Sequence, residues 1–254
     1  VPLVLTRGVW AGGQRHNIVL WSSDIESTFA ELTAQVPQGV HASLSGIPWW
    51  TSDVGGFGCG SIHPNDSPYM RELIVRWYQF GLFCPIFRTH GCRKGAPPEA
   101  PVANDPCLHG TNSCAGNEVW SYGQDTQVIL EKYIQIRSSL KPYILALAKN
   151  VTAYGVPTMR PLWWEFPNDP RAVGISDQYF LGPDLLVAPV TTQGATTRQV
   201  YFPAGSSWQS FFHDSEVLGG GVTRTVATPL DIIPVYWRVP AQQASNTPAM
   251  ILAI

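Results

Sequence analysis

Four short apolar runs before residue 90, each followed at once by polar or glycine-containing sequence, restrict the folds open to this chain more than any other feature. The runs are Leu3 to Leu5, Ile18 to Trp21, Ala42 to Trp50 and Cys84 to Phe87. They are followed by Thr6-Arg-Gly8, Ser22-Ser-Asp24, Thr51-Ser-Asp-Val-Gly-Gly-Phe57 and Arg88-Thr-His-Gly91. Helix-length stretches lie between and after them: Glu26 to Gln35, Tyr69 to Phe80, and Thr126 to Lys149 with a break at Pro142. Strands alternating with helices make βα units. In a (β/α)8 barrel the residues at the C-terminal strand ends build the active site. Polar loops are common enough to explain any one of these segments, but they explain the four together poorly. Four strands supply half of such a barrel, over residues 1–153.

Past Tyr154 the texture changes. Short β-branched and aromatic runs alternate with turns: Asp184 to Val190, Arg198 to Phe202, Val222 to Val226 and Ile232 to Trp237, with turns at Pro203-Ala-Gly205 and Gly219-Gly-Gly221. This pattern predicts an antiparallel β-sandwich domain over residues 154–254.

Composition narrows the ligand. Charged residues make up 13% of the chain, about half the roughly 25% of ordinary soluble domains, and aromatics reach 11% with ten Trp. Flat rings and few charges suit a neutral polar ligand such as a sugar. A formal charge of −2 with sixteen Lys plus Arg and no basic cluster leaves little to neutralise a phosphate backbone, so no nucleic acid is expected. No apolar run approaches the roughly 18 residues of a membrane span.

The five Cys, at 59, 84, 92, 107 and 114, form no C-x-x-C pair of the kind that holds zinc. Three of them fall in a Pro/Gly/Asn-rich loop between Gly91 and Tyr122. A loop that long in a compact domain is usually a lid or an insertion, and here it follows the last strand. Cysteine alone leaves a loop disulfide and free thiols equally open. Asn150-Val-Thr152 is a clean glycosylation acceptor, whereas Asn65-Asp-Ser67 is weakened by Pro68. These sequons favour the secretory pathway, with an extracellular, lysosomal or vacuolar destination. The opening Val1-Pro-Leu-Val-Leu-Thr-Arg7 has neither an initiator Met nor a signal peptide's flanks. The expectation is a start inside a longer protein.

Five ordered segments resemble signatures of glycoside hydrolase family 31, covering nearly all of residues 3–238. They are Arg7-Gly-Val-Trp-Ala-Gly-Gly-Gln-Arg15, Trp21-Ser-Ser-Asp24, Leu44 to Phe57, Pro85-Ile-Phe-Arg-Thr-His-Gly91 and Asp177 to Val190. The resemblance implies an α/β fold: the second half of a (β/α)8 TIM barrel, starting around its fifth strand, followed by the β-sandwich. It also implies a retaining α-glycosidase, in which one carboxyl group protonates the leaving oxygen and another attacks the anomeric carbon from the opposite face.

Asp24 matches the family's acid/base. Its alternative is a cap on the helix expected from Glu26, a position that Asp favours. Asp53 resembles the residue that accepts hydrogen bonds from hydroxyls of the sugar in subsite −1, with a turn-forming Asp before Val-Gly-Gly as its alternative. Arg7 and His90 match sugar-binding positions, and Arg88 shares the motif of His90. Trp21 and Phe57 match flat walls of the pocket, while Trp50 suits a wall or the core equally. Nothing in the chain resembles the family's nucleophile motif, so the nucleophile is expected from upstream sequence, on the same polypeptide or a processed companion chain.

The activity implied is exo-acting removal of terminal α-linked glucose or xylose from oligosaccharides or glycosides. The segments Phe87 to Gly91 and Asn117 to Gly123 look most like α-xylosidase relatives. A non-catalytic carbohydrate-binding or structural member is the alternative, and transglycosylation would use the same residues. No metal or organic cofactor is implied, since the chemistry needs only carboxyl groups and water.

Overall fold

The computed structural model describes residues 3–57, 63–91, 93–94, 114–213 and 217–239. Strands β1 (Val4–Thr6), β2 (Ile18–Trp21) and β3 (Trp50–Thr51) form a parallel sheet in that order. Val4 lies opposite Ile18, and Leu20 opposite Trp50. The expected strand at 84–87 is not regular, yet residues 86–89 continue the parallel order. Ile86 N–H donates to the Trp50 carbonyl at 3.3 Å, Val54 N–H donates to the Arg88 carbonyl at 3.4 Å, and Val54 and Thr89 make a parallel bridge. Pro85 has no N–H for a ladder. The Arg137 guanidinium meanwhile donates to the carbonyls of Leu82, Cys84 and Pro85 at 2.5, 2.6 and 2.7 Å, removing the acceptors a neighbouring strand would use.

The first helix corrects two expectations. Helix α1 runs from Phe29 to Leu44, so it begins later and ends later than Glu26 to Gln35. It also absorbs the start of the strand expected over Ala42 to Trp50, of which only Trp50 lies in a strand. Leu32, Val36 and Val40, with Gln35, Gly39 and Ser43 beside them, are buried along one face, and this four-residue period prevails over the apparent alternation beyond it. Gly39 lets the helix sit close: a Cβ there would lie 2.8 Å from the Trp50 ring and 2.9 Å from Met159. The N-cap is Thr28, whose hydroxyl accepts from Glu31 N–H at 3.1 Å. Asp24 therefore does not cap this helix.

Helix α2 (Pro68–Leu82) begins with Ser67 as cap and Pro68 in its first turn, and every residue from Leu73 to Leu82 is buried. A helix buried all round lies at the centre of its domain. A short antiparallel pair, β4 (Arg93–Lys94) with β5 (Cys114–Ala115), precedes α3 (Gln124–Ser139) and α4 (Lys141–Tyr154). Pro142 sits in the first turn of α4, where its missing N–H costs nothing. Most of the long loop, including Cys92 and Cys107, lies outside the described residues, as does Cys59. Cys84 is a buried free thiol.

The C-terminal part contributes β6 (Met159–Arg160), the short helix α5 (Leu162–Glu165), β7 (Tyr179–Leu181), β8 (Leu185–Val187), β9 (Thr197–Phe202), β10 (Ser207–Ser210), β11 (Val217–Gly219), β12 (Val222–Ala227) and β13 (Val235–Val239). Six of these strands form one antiparallel sheet in the order β11-β10-β13-β8-β7-β6, and β9 pairs with β12. Strand alternation sends successive side chains to opposite faces. Tyr179, Leu181, Leu185, Val187 and Val235 join the core built by α1, α2 and α3. Phe180, Leu186, Trp208 and Tyr236 pack instead with Val200 and Phe202 of β9. The six-stranded sheet is thus covered by helices on one side and by the β9–β12 hairpin on the other.

Buried Arg76 of α2 binds the two parts together, donating to the carbonyls of Ala195, Thr228, Pro229 and Ile232. Strand β1 is the edge of the parallel sheet, and Leu3, Val4 and Leu5 are 67%, 48% and 43% exposed.

Candidate active site

The parallel order brings the ends of four extended segments together. Arg7 follows β1, Asp24 lies three residues beyond β2, Asp53 lies two beyond β3, and Arg88 and His90 end the segment beside it. Ser23 takes a left-handed conformation (φ 68°), uncommon for a residue with a Cβ, and its carbonyl accepts from Ile25 N–H at 3.0 Å. This tight turn carries Asp24.

Backbone contact then presses the loops against one another. Phe57 N–H donates to the Ile25 carbonyl at 2.8 Å. Gly56 (φ 78°) leaves room for residues 26–27, since a Cβ on it would stand 2.6 Å from the Glu26 carbonyl oxygen. Gly91 (φ 100°) does the same on the other side, where a Cβ would lie 2.3 Å from the Phe57 carbonyl oxygen. Both positions need glycine for conformation and for space.

Two ion pairs occupy this cluster. One terminal nitrogen of Arg7 reaches both Asp24 carboxylate oxygens at 2.6 Å, with the two side chains 61% and 34% exposed. Arg88 Nη1 lies 2.5 Å from Oδ1 of Asp53, which is fully buried. The Trp21 indole sits near both cations, with the Arg7 and Arg88 guanidinium carbons 5.9 and 5.5 Å from its ring centroid. The Phe57 and His90 rings lie 5.3 Å apart. Sequence reasoning placed Arg7, Trp21, Asp24, Asp53, Phe57, Arg88 and His90 in one site, and the fold gathers all seven. Trp50 is not among them: it is buried against Phe80, 6.3 Å between centroids, and belongs to the core.

The two carboxylates differ in environment. Asp24 is partly open to solvent. Burial pushes the Asp53 carboxyl above the usual aspartate range, against the opposing pull of Arg88 and His90, and the charge on Asp24 adds to the rise. Oδ2 of Asp53 is buried and has no hydrogen-bond partner among the described residues. A buried acceptor left unpaired carries a desolvation cost until a donor arrives, and a ligand hydroxyl is such a donor. Among the described residues no three His, Cys, Asp or Glu side chains gather to hold a metal.

Sequence reasoning missed the residues behind this surface. Arg93 is buried and donates to backbone carbonyls of both the Asp53 loop and His90, while Tyr122 and Asn117 complete its surroundings. No motif marks such residues, because their acceptors are backbone carbonyls that every residue carries.

Comparison with known proteins places this arrangement. Residues 1–108 match the model of the glycosyl hydrolases family 31 TIM-barrel domain, and residues 155–240 match the model of the glycosyl hydrolase family 31 C-terminal domain. An α-xylosidase of Saccharolobus solfataricus is 36% identical over 93% of this chain, which spans 29% of that protein. Alpha-glucosidase 2 of Bacillus thermoamyloliquefaciens is 32% identical over 92% of the chain and 26% of its own length. Among solved structures, a family 31 α-xylosidase from a soil metagenome, complexed with xylose, superposes with a TM-score of 0.84 at 40% identity, covering 95% of this chain and 35% of that one. The chain thus spans about a quarter to a third of these relatives. With both domain models matched in order and the strand-end cluster assembled, the chain belongs to glycosyl hydrolase family 31.

Proposed function

We propose that this chain is part of a retaining, exo-acting α-glycosidase that releases terminal α-linked glucose or xylose. One observation carries the reading. Two carboxylates stand at neighbouring strand ends in contrasting environments, Asp24 partly exposed and released from helix capping, Asp53 buried with one oxygen unpartnered. In this reading residues 1–153 are the second half of a (β/α)8 barrel and residues 154–254 a β-sandwich. The open β1 edge, with its exposed Leu3, Val4 and Leu5, supports the half-barrel, since an unpaired apolar edge calls for a neighbour.

Asp24 then acts as acid/base. In the first step it gives its proton to the glycosidic oxygen as the bond to the anomeric carbon breaks, while a carboxylate outside residues 1–254 forms a glycosyl ester. In the second step it takes a proton from water as the water oxygen bonds to the anomeric carbon from the opposite face, the bond from that carbon to the ester oxygen breaks and the external carboxylate leaves. Oδ2 of Asp53 accepts from a sugar hydroxyl, Arg7, Arg88 and His90 supply further polar contacts, and Trp21 and Phe57 form the walls. The likeness to α-xylosidases supports xylose beside glucose. The sequon at Asn150, on an exposed position of α4, supports passage through the secretory pathway.

The test is stereochemical. The full-length protein is given an aryl α-xyloside and an aryl α-glucoside, and the first-formed sugar is followed by proton NMR. Release of the α-anomer before mutarotation supports the reading. First release of the β-anomer contradicts retention, and no release of either sugar contradicts the activity.

A further inference from the structure

Behind the sugar-facing side chains lies a polar cluster that holds the backbone of the loops carrying them, and its centre is Arg93, 1% exposed. Its Nη1 donates to the Gly56 carbonyl at 2.6 Å and its Nη2 to those of Val54 and His90 at 3.1 and 3.4 Å. Its Nε donates to the Tyr122 hydroxyl at 2.8 Å. That hydroxyl donates to Asn117 Oδ1 at 2.6 Å, and the Asn117 amide returns to the His90 carbonyl at 2.9 Å. The loop around it is shaped for a guanidinium. Gly55 takes φ 90°, and a Cβ on it would stand 2.6 Å from Arg93 Nη2.

We propose that Arg93 is a positioning residue that locks the Asp53 loop and His90 into one frame, with Tyr122 and Asn117 bracing it. The three carbonyls it holds belong to the two segments whose side chains Asp53, Phe57, Arg88 and His90 form one side of the site. It adds to the Arg88–Asp53 ion pair and the Val54–Thr89 bridge between the same segments, and it grips their backbone at three carbonyls through one rigid group. A planar guanidinium offers five donors in a fixed fork, whereas an ammonium offers three from one point. Lysine at this position would keep the charge and lose the simultaneous grip on Val54, Gly56 and His90. The segments would then shift by fractions of an ångström, and misplacement on that scale away from the chemistry lowers turnover by about 10²-fold at most.

This inference rests on the glycosidase reading, and its test separates the two. Full-length wild type, Arg93→Lys, Asn117→Ala and Arg76→Lys are assayed on an aryl α-xyloside and an aryl α-glucoside, with rates expressed per folded molecule and Tm measured alongside. Arg76 is the matched control, a buried arginine that also binds carbonyls but lies away from the site. Arg93→Lys is expected to lower kcat by about 10- to 100-fold and change KM by less than about threefold, the pattern of interactions lost in the transition state. Arg76→Lys is expected to lose thermal stability and keep kcat within about twofold. The proposal is overturned if Arg93→Lys keeps wild-type kcat, or if Arg76→Lys loses kcat to the same degree. Should Arg93→Lys fail to fold, Asn117→Ala decides: a kcat loss of at least about threefold with Tm nearly unchanged supports the brace, and an unchanged kcat overturns it. Wild type inactive on both substrates would overturn the glycosidase reading, and this inference with it.

Discussion

Arg88 donates to Oδ1 of Asp53 at 2.5 Å, while Oδ2 of the same carboxylate stays buried and unpartnered among the described residues. Asp53 is therefore half satisfied by protein. Removing the arginine would leave a buried carboxylate whose surroundings mainly resist its ionisation.

Arg88→Met is accordingly expected to destabilise the protein in a pH-dependent way. Burial already holds the Asp53 carboxyl above its ordinary range, so the folded state binds its proton more tightly than the unfolded state does. A raised group of this kind contributes stability that is fully present below the unfolded value and is lost as pH rises through the folded one. Without Arg88 the rise is larger. The Tm gap between wild type and Arg88→Met should be small near pH 4 and widen toward pH 7, reaching the equivalent of about 3–5 kcal/mol for an orphaned buried charge. Adding Asp53→Asn should flatten that dependence. A gap that stays constant with pH would contradict the account of Asp53.

Gly91→Ala should separate the two loops that carry Phe57 and His90. The new Cβ would meet backbone, the Phe57 carbonyl oxygen at 2.3 Å, from a residue at φ 100°. Backbone strain of about 1–3 kcal/mol adds to overpacking of similar size. Urea unfolding should show the loss. Gly194→Ala, where a Cβ meets nothing within 4 Å, should show only the smaller cost of its positive φ. Equal losses at the two sites would count against tight loop packing.

Much of this cluster was legible because its residues sit directly after apolar runs, Asp24 after Ile18 to Trp21 and Arg88 and His90 after Cys84 to Phe87, while the roles expected of them came from the resemblance to family 31 segments. Other parts were not. The end of α1 was hidden because residues 42–50 carry an alternation that reads as a strand, while the period of Leu32, Val36 and Val40 that extends the helix is visible only once its buried face is known. Strand β10 was missed because Ser207-Trp-Gln-Ser210 is short and polar, and pairing between β11 and β13 forms it. Arg93 lay beyond reach for another reason: its side-chain partner Tyr122 is 29 residues away, across a loop with no periodic pattern.

The sequons make a prediction about modification. Asn150 is exposed on α4, whereas Asn65 is 6% exposed and its amide donates to the Gly116 carbonyl at 2.8 Å. In protein from its natural source, enzymatic deglycosylation should remove mass from the Asn150 peptide and none from the Asn65 peptide. An Asn150 peptide found wholly unmodified would count against the secretory assignment.

Residues 1–254 expressed alone should be inactive and prone to self-association. The exposed edge of β1 offers backbone donors and acceptors that no strand among the described residues pairs, beside Leu3, Val4 and Leu5, and open edges of this kind recruit other strands. Light scattering and activity should be compared with those of the full-length protein. An active, monomeric 1–254 would contradict both the half-barrel and the external nucleophile.

The central claim is that Asp24 protonates the leaving group, and leaving-group dependence tests it most directly. In full-length protein, Asp24→Ala should slow hydrolysis of a natural α-linked disaccharide by about 10²- to 10⁴-fold, the usual worth of positioned acid catalysis. Cleavage of an activated aryl glycoside to the glycosyl ester should be largely spared, because its leaving group departs without a proton. Rapid-mixing measurement of the first aryl burst isolates that step from the later attack of water, which also needs Asp24. A large loss with the disaccharide and a preserved burst with the aryl glycoside is the predicted result, and equal losses with both would contradict the account.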